Sequence, residues 1–130
     1  MAFFSSRSLG RLETCDDRLR ILFEEVVTTY DCTILCGFRS EEDQNLAVSD
    51  GRSKTEWPNS KHNSSPSKAV DVAPYPIDWS DTNRFYHFGG FVQSRAESLG
   101  FRVRWGGDWD SDRDLGDQTF MDLVHFELME

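Results

Sequence analysis

The sequence predicts an α+β fold in which a small, mainly antiparallel sheet carries helices packed on one face. Three observations support it. Apolar residues recur at intervals of three and four in two long segments, apolar and polar residues alternate in several short ones, and glycine or proline separates the two kinds. With 130 residues the chain is expected to form a single domain over residues 1–130, large enough to bury a core without staples and too short to add a second module.

Leu19, Leu22, Phe23, Val26, Val27 and Tyr30 form one stripe, predicting an amphipathic helix over residues 16–30 with Thr14 and Asp17 resembling a capping box. Cys32–Cys36 reads as a strand ended by Gly37. It delivers Arg39 and Ser40 at its exit, ahead of a helix over residues 41–49. Residues 50–59 are polar and contain Gly51 and Pro58, which predicts a loop along the rim of a cleft with Trp57 packed under it. After a proline-stiffened connection over residues 73–79, Phe85, Phe88, Val92, Ala96 and Leu99 mark a second amphipathic helix over residues 82–98, closed by Gly100. His87 falls off that stripe and is read as a surface residue. Residues 101–105 alternate as a strand, and Gly106 and Gly107 turn it into a loop crowded with Asp108, Asp110, Asp112, Asp114 and Asp117.

Two further short segments carry the chemistry. Residues 69–73 have period 2, so Ala69, Asp71 and Ala73 share one face while Val70 and Val72 share the other. Residues 123–128 alternate likewise, with Val124, Phe126 and Leu128 suited to a core and Leu123, His125 and Glu127 facing away from it. If the two strands lie close in one sheet, Asp71 and His125 converge, and the loop over residues 63–68 delivers His62. Two imidazoles and one carboxylate, with a fourth position left to water, is the pattern of a catalytic zinc. Such a site lies on the sheet face opposite the helices. Asp122, three residues before His125, stands at the strand entrance within reach of that water. The plainer reading stays open here: a strand aspartate paired with an arginine, and histidines that merely pack.

Composition narrows the function. A net charge of −9 and a pI near 4.7 argue against a nucleic-acid partner, because phosphate contacts need a basic face. Three cysteines do not make a disulfide framework. Cys32 and Cys36 share a strand face but stand about 13 Å apart at roughly 3.3 Å per residue, which excludes one shared ion and leaves them as core thiols. Neither a signal-peptide run nor an apolar stretch of about 18 residues is seen, so no membrane insertion is expected. Asp110, Asp112 and Asp114 are spaced like the first half of a calcium loop, although the glycine is displaced and the terminal glutamate is missing. A solvated acidic turn is the alternative.

Ser-x-His followed by Ala-x-Asp (Ser60 to Asp71), then Trp-Gly-Gly-Asp-Trp (Trp105 to Trp109) and Asp-x-x-His-Phe-Glu (Asp122 to Glu127), resemble the zinc peptidases of the D-alanyl-D-alanine carboxypeptidase and dipeptidase superfamily. The branch most similar is the phage L-alanyl-D-glutamate endopeptidases, and the likeness covers nearly the whole chain, including Gly37 to Ser40 with Gln44. The resemblance implies that His62, Asp71 and His125 bind zinc, that Asp122 is the catalytic acid and base, and that Arg39 is the positive group near the substrate carbonyl. Ser60 is expected to orient substrate or the loop, and Glu127 to support an imidazole N–H. The spacing of nine between His62 and Asp71 is longer than in many relatives, so the loop over residues 64–67 is expected to shape the cleft. Asp122 stands where many relatives have glutamate.

By the same resemblance the partner is the peptidoglycan stem peptide, cut at its L-alanyl-D-glutamate bond by a phage endolysin. Such a protein is expected to be a monomer without a separate cell-wall-binding domain. It waits in the host cytoplasm until a separate pore-former releases it to the wall. Relatives with calcium control make calcium a candidate second ion. A D-alanyl-D-alanine carboxypeptidase or dipeptidase is the rival reading within the class. A non-catalytic zinc-binding module docked on peptidoglycan is the rival outside it, and an acid at Asp122 argues against that rival.

Overall fold

A computed structural model of the chain describes residues 2–117 and 121–129, and the side chain of Asp117 lies outside the described residues. Its elements are α1 (Ser6–Leu12), α2 (Asp17–Thr29), β1 (Cys32–Cys36), α3 (Glu41–Ser49), β2 (Ala69–Pro74), α4 (Thr82–Leu99), β3 (Val103–Gly106) and β4 (Asp122–Leu128). The strands form one sheet in the order β1-β2-β4-β3, antiparallel at every step. This is the expected α+β class, with β2 and β4 as neighbours at its centre.

The core lies between the sheet and the pair α2 and α4. Val70, Val72 and Phe126 point into it, as their alternation requires. Phe23 from α2 and Phe88 from α4 both meet Phe126 edge to face, with ring centroids 5.5 and 6.1 Å away. Each such fully buried side chain contributes about 1.5–3 kcal/mol relative to exposure. Trp105 joins β3 to α4 and β4. Its indole N–H donates to Leu123 O at 2.9 Å, and a Cβ on Gly89 of α4 would lie 2.2 Å from the ring, so only glycine lets the helix approach.

Several boundaries differ from expectation for local physical reasons. Asp16, rather than a Thr14–Asp17 box, caps α2, accepting from Arg18 N–H. Thr14 is engaged elsewhere, donating to Arg11 O and accepting from Phe38 N–H. β3 starts two residues late because Phe101 N–H bonds back to Ala96 O in the turn that closes α4, where Gly100 adopts φ +80°. The short helix α1 was not anticipated. It covers the edge of β1, where Ile34 N–H donates to Ser8 Oγ and Ile34 O accepts from Arg11.

Two expected core residues lie elsewhere. The β3–β4 register slips between Trp105 and Gly106, so the alternation of β4 breaks near its start. Leu123 packs against the core and Val124 lines a cleft on the other side. A second slip between Ile34 and Cys36 sets Cys36 opposite Asp71, half-buried against His62 and outside the core. Cys15 and Cys32 are buried thiols, pushed up to about 12 by that burial.

Candidate metal centre

His62 is delivered by a single 3₁₀ turn, Lys61–Asn63, whose start is fixed by a reciprocal cap. Ser60 Oγ accepts from His62 N–H at 3.2 Å, and Asn63 Oδ1 accepts from Ser60 N–H at 3.1 Å. The turn is tied to the exit of β1 by Arg39 N–H donating to His62 O at 2.8 Å. Gly37 O lies 2.7 Å from His62 Nδ1. A carbonyl only accepts, so Nδ1 carries the proton and Nε2 is left toward Asp71 Oδ1, 3.2 Å away.

Asp71 in β2 stands opposite His125 in β4 in the sheet register. His125 Nδ1 lies 3.3 Å from the same Asp71 oxygen, and its Nε2 lies 2.8 Å from Glu127 Oε1. One ligand atom from each of His62, Asp71 and His125 thus falls within 4.8 Å of the other two. Both imidazoles have their second nitrogen occupied by an acceptor, which orients the rings and frees one lone pair on each toward the shared point. The donor set and its outer contacts fit a divalent ion of the zinc type.

The surrounding charges are consistent with that. Burial opposes ionisation of Asp71, yet bonds from His125 and His62 hold its carboxyl well below the ordinary range. Arg39 adds a contact to Asp71 Oδ2 at 3.4 Å and a bond to Gln44 Oε1 at 3.1 Å. Asp122, half-buried at the head of β4, is shifted the other way. Burial raises its pKa, and the neighbouring Asp71 charge adds to the effect.

A cavity of about 570 Å³ brings the sequence-predicted residues to one place: Arg39, Ser60, His62, Asp71, Asp122 and His125 all line it. The polar loop also supplies part of the rim, at Arg52 to Thr55 and Asn59. The loop over residues 64–67 does not line the cleft. Ser67 instead pairs with the link between α1 and α2, donating to Thr14 O and accepting from Asp16 N–H. A second cavity of about 580 Å³ lies between α4 and β3 and contains none of the predicted site residues.

Sequence reasoning assigned no role to Gln44, which is fully buried and makes four hydrogen bonds. Its Oε1 accepts from Arg39 and Asn63 at 3.1 Å each, and its Nε2 donates to Ser53 Oγ at 3.0 Å and Thr55 O at 2.6 Å. Nothing in the local pattern marks it, since α3 has only two buried residues, Gln44 and Ala47. Cys36 was missed as a neighbour of His62 because the bulge that turns it is not visible in a five-residue strand.

In the acidic loop the grouping differs from the spacing argument. Asp108, Asp110 and Asp112 bring one ligand atom each within 4.8 Å of the others. Asp114 does not join them; its Oδ1 accepts from Gly116 N–H at 2.9 Å. Asp108 takes its place: Oδ2 accepts from Arg113 N–H at 2.8 Å, while Oδ1 is buried with no hydrogen-bond partner.

Two imidazoles and a carboxylate converging in an open cleft, with a further acid beside them, is the arrangement of a metallohydrolase centre. Comparison with known proteins gives the family. Residues 1–129 match the family described as phage L-alanyl-D-glutamate peptidase. The L-alanyl-D-glutamate peptidase of Escherichia phage T5 is 30% identical over 135 residues, covering 97% of each chain. The crystal structure of Serratia marcescens L-Ala D-Glu endopeptidase ChiX superposes with a TM-score of 0.75 at 25% identity, covering 97% of this chain and 89% of that one. The chain belongs to the phage L-alanyl-D-glutamate peptidase family.

Proposed function

We propose that this protein is a zinc-dependent peptidoglycan endopeptidase that hydrolyses the L-alanyl-D-glutamate bond of the stem peptide and serves as a phage endolysin. The observation that carries the reading is the convergence of His62, Asp71 and His125 in the cleft of a member of this family. These three residues would hold the ion. Zinc bound there supplies Lewis-acid chemistry, making water acidic enough to attack near neutral pH and polarising a carbonyl.

The remaining work falls to the chain's own groups. Asp122 takes the proton of the attacking water on a carboxylate oxygen and passes it to the leaving amine, a role suited to an acid whose pKa is raised by burial. Arg39, held by Asp71 and Gln44, directs its guanidinium toward the negative charge that develops on the carbonyl oxygen. Ser60 caps the turn that carries His62, and its replacement costs less than loss of Asp122. Release to the wall by a separate pore-former is part of this proposal. Among the described residues no helix is long and apolar enough to cross a membrane. A calcium ion at Asp108, Asp110 and Asp112 is the second proposed cofactor, supported by the buried, unpartnered Asp108 Oδ1.

The test is lysis of purified cell wall with and without chelator, followed by mass spectrometry of the fragments. New alanine carboxyl and glutamate amino termini are expected, and only with metal present. Released D-alanine would point to the carboxypeptidase reading, and binding without any cleavage to a docking module. Asp122→Ala should retain zinc and lose turnover.

A further inference from the structure

The catalytic cleft is a positive island on an acidic protein. It is lined by five of the 14 lysines and arginines and by three of the 23 acids. Three of the five cations are tied into the centre: Arg39 to Asp71 and Gln44, and Arg104 and Lys61 to Glu127 at 2.8 and 3.3 Å. Arg52 differs. Its partner is Asp50, 3.2 Å away, and the two side chains are 58% and 48% exposed. An ion pair so exposed is weak and is readily exchanged for another carboxylate.

The loop that carries Arg52 is firmly placed. Arg52 N–H and Ser53 N–H both donate to Ala47 O, at 2.8 and 3.1 Å, in the turn that ends α3. Gln44 clamps the next residues through Ser53 Oγ and Thr55 O. Arg52 also borders a smaller cavity of about 330 Å³ that shares Arg39, Arg52 and Asp71 with the catalytic one. It therefore stands where the cleft continues past the candidate metal ligands, on a backbone fixed to the same buried amide that holds Arg39.

The substrate supplies the matching charge. D-glutamate has two carboxyl groups, and a peptide continues through only one of them, so a free carboxylate lies within the residue whose amide is cut. A guanidinium matches a carboxylate with two parallel hydrogen bonds. We propose that Arg52 binds this free carboxylate and makes the enzyme selective for a glutamyl over an amidated glutaminyl residue after the scissile bond. The inference rests on the L-alanyl-D-glutamate reading above.

The experiment compares kcat/KM for two synthetic peptides that differ only at the D-glutamyl α-carboxyl group, free in one and a carboxamide in the other, each extended through the γ-carboxyl. The zinc-loaded wild-type protein should prefer the free carboxylate by about tenfold or more, the scale of a lost charge-assisted pair. Arg52→Gln should bring the ratio close to one, Arg52→Lys should keep part of it, and Lys54→Gln should leave it high. A ratio unchanged in Arg52→Gln, or one that follows Lys54 instead, overturns the proposal. If the wild-type protein cuts neither peptide but cuts another wall bond, the bond assignment itself falls and this inference with it.

Discussion

Glu127 Oε1 lies 2.8 Å from His125 Nε2, on the side of the ring away from Asp71. Its other oxygen is held by Arg104 at 2.8 Å and Lys61 at 3.3 Å. Burial works against its charge, but the bonds from His125 and Arg104 bring the Glu127 carboxyl down to about 2. An acceptor so held keeps the proton on Nε2 and turns Nδ1 toward the point it shares with Asp71 and His62. Glu127→Gln is expected to weaken zinc binding by about 10–100-fold, the usual cost of losing an outer partner of a ligating histidine. Competition with a chromogenic chelator measures it, and unchanged affinity would mean that the ring is oriented by something else.

Zinc uptake should release protons. In the metal-free protein burial disfavours a charged His62, but the adjoining Asp71 outweighs it and raises the ring to about 10; His125 is raised by the same carboxylate and by Glu127, also against burial. At pH 7 the lone pair that zinc needs on His62 therefore carries a proton, as it does on part of the His125 population. More than one proton should leave per zinc bound, read as the dependence of calorimetric heat on the ionisation enthalpy of the buffer.

The same shifts set the stability of the metal-free form. A raised pKa gives His62 a contribution that is complete below 6.5 and lost as pH rises through about 10. The depressed Asp71 contributes above 3.8 and less as pH falls below it. Chelator-treated protein should thus melt highest between those limits and lose stability on the alkaline side. Melting curves across that range check the sign.

Gly106 controls Asp122 without taking part in chemistry. A Cβ at Gly106 would lie 2.1 Å from Asp122 O and 3.1 Å from Asp122 Cβ, so the backbone of the proposed acid must move to admit it. Gly106→Ala should lower kcat by roughly a hundredfold, as a displacement near 1 Å of a catalytic group can. The proposed zinc ligands lie elsewhere, His125 further along β4, Asp71 on β2 and His62 on the 3₁₀ turn, so zinc content should stay at one per chain. Elemental analysis beside kinetics separates the two outcomes.

How far the sequence disclosed this site follows from the range of each signal. Strand alternation put Asp71 and His125 on the face away from Val70, Val72 and Phe126, because a period of two is local and survives any register. Val124 and Cys36 escaped because each sits at a register slip, which depends on a partner strand far away in the chain. His62 could be placed only through the motif around it, since the turn that holds it is three residues long. Asp108 was passed over in favour of Asp114 because spacing along a loop does not reveal which carboxylates its fold brings together.

That exchange makes Asp108 the residue to test for calcium. Burial raises its pKa, an N–H from Arg113 opposes this, and Asp110 and Asp112 raise it further. A cation would relieve all three acids. Calcium at 100 times its Kd should stabilise the wild-type protein by about 2.7 kcal/mol. Asp108→Asn retains an acceptor for Arg113 N–H and removes the charge, so it should fold and lose the response. Titration calorimetry showing no calcium uptake by the wild-type protein would remove this ion from the account.

Gln44 offers the sharpest separation of scaffold from chemistry. Its amide reaches Arg39, Asn63, Ser53 and Thr55 at once from a fully buried position. Asn63 in turn holds Arg39 O and Ser60 N–H, so one side chain couples Arg39, the His62 turn and the rim loop. Gln44→Leu has similar volume and leaves several buried polar groups unpaired, at about 1–3 kcal/mol for each that water cannot reach. Denaturant titration should show a loss of that order. A purely structural role would leave kcat and KM unchanged at a temperature where the variant is fully folded. Loosened Arg39 and Arg52 predict instead that kcat falls and KM rises together, with zinc affinity reduced far less because Gly37 O and Glu127 still orient the two imidazoles.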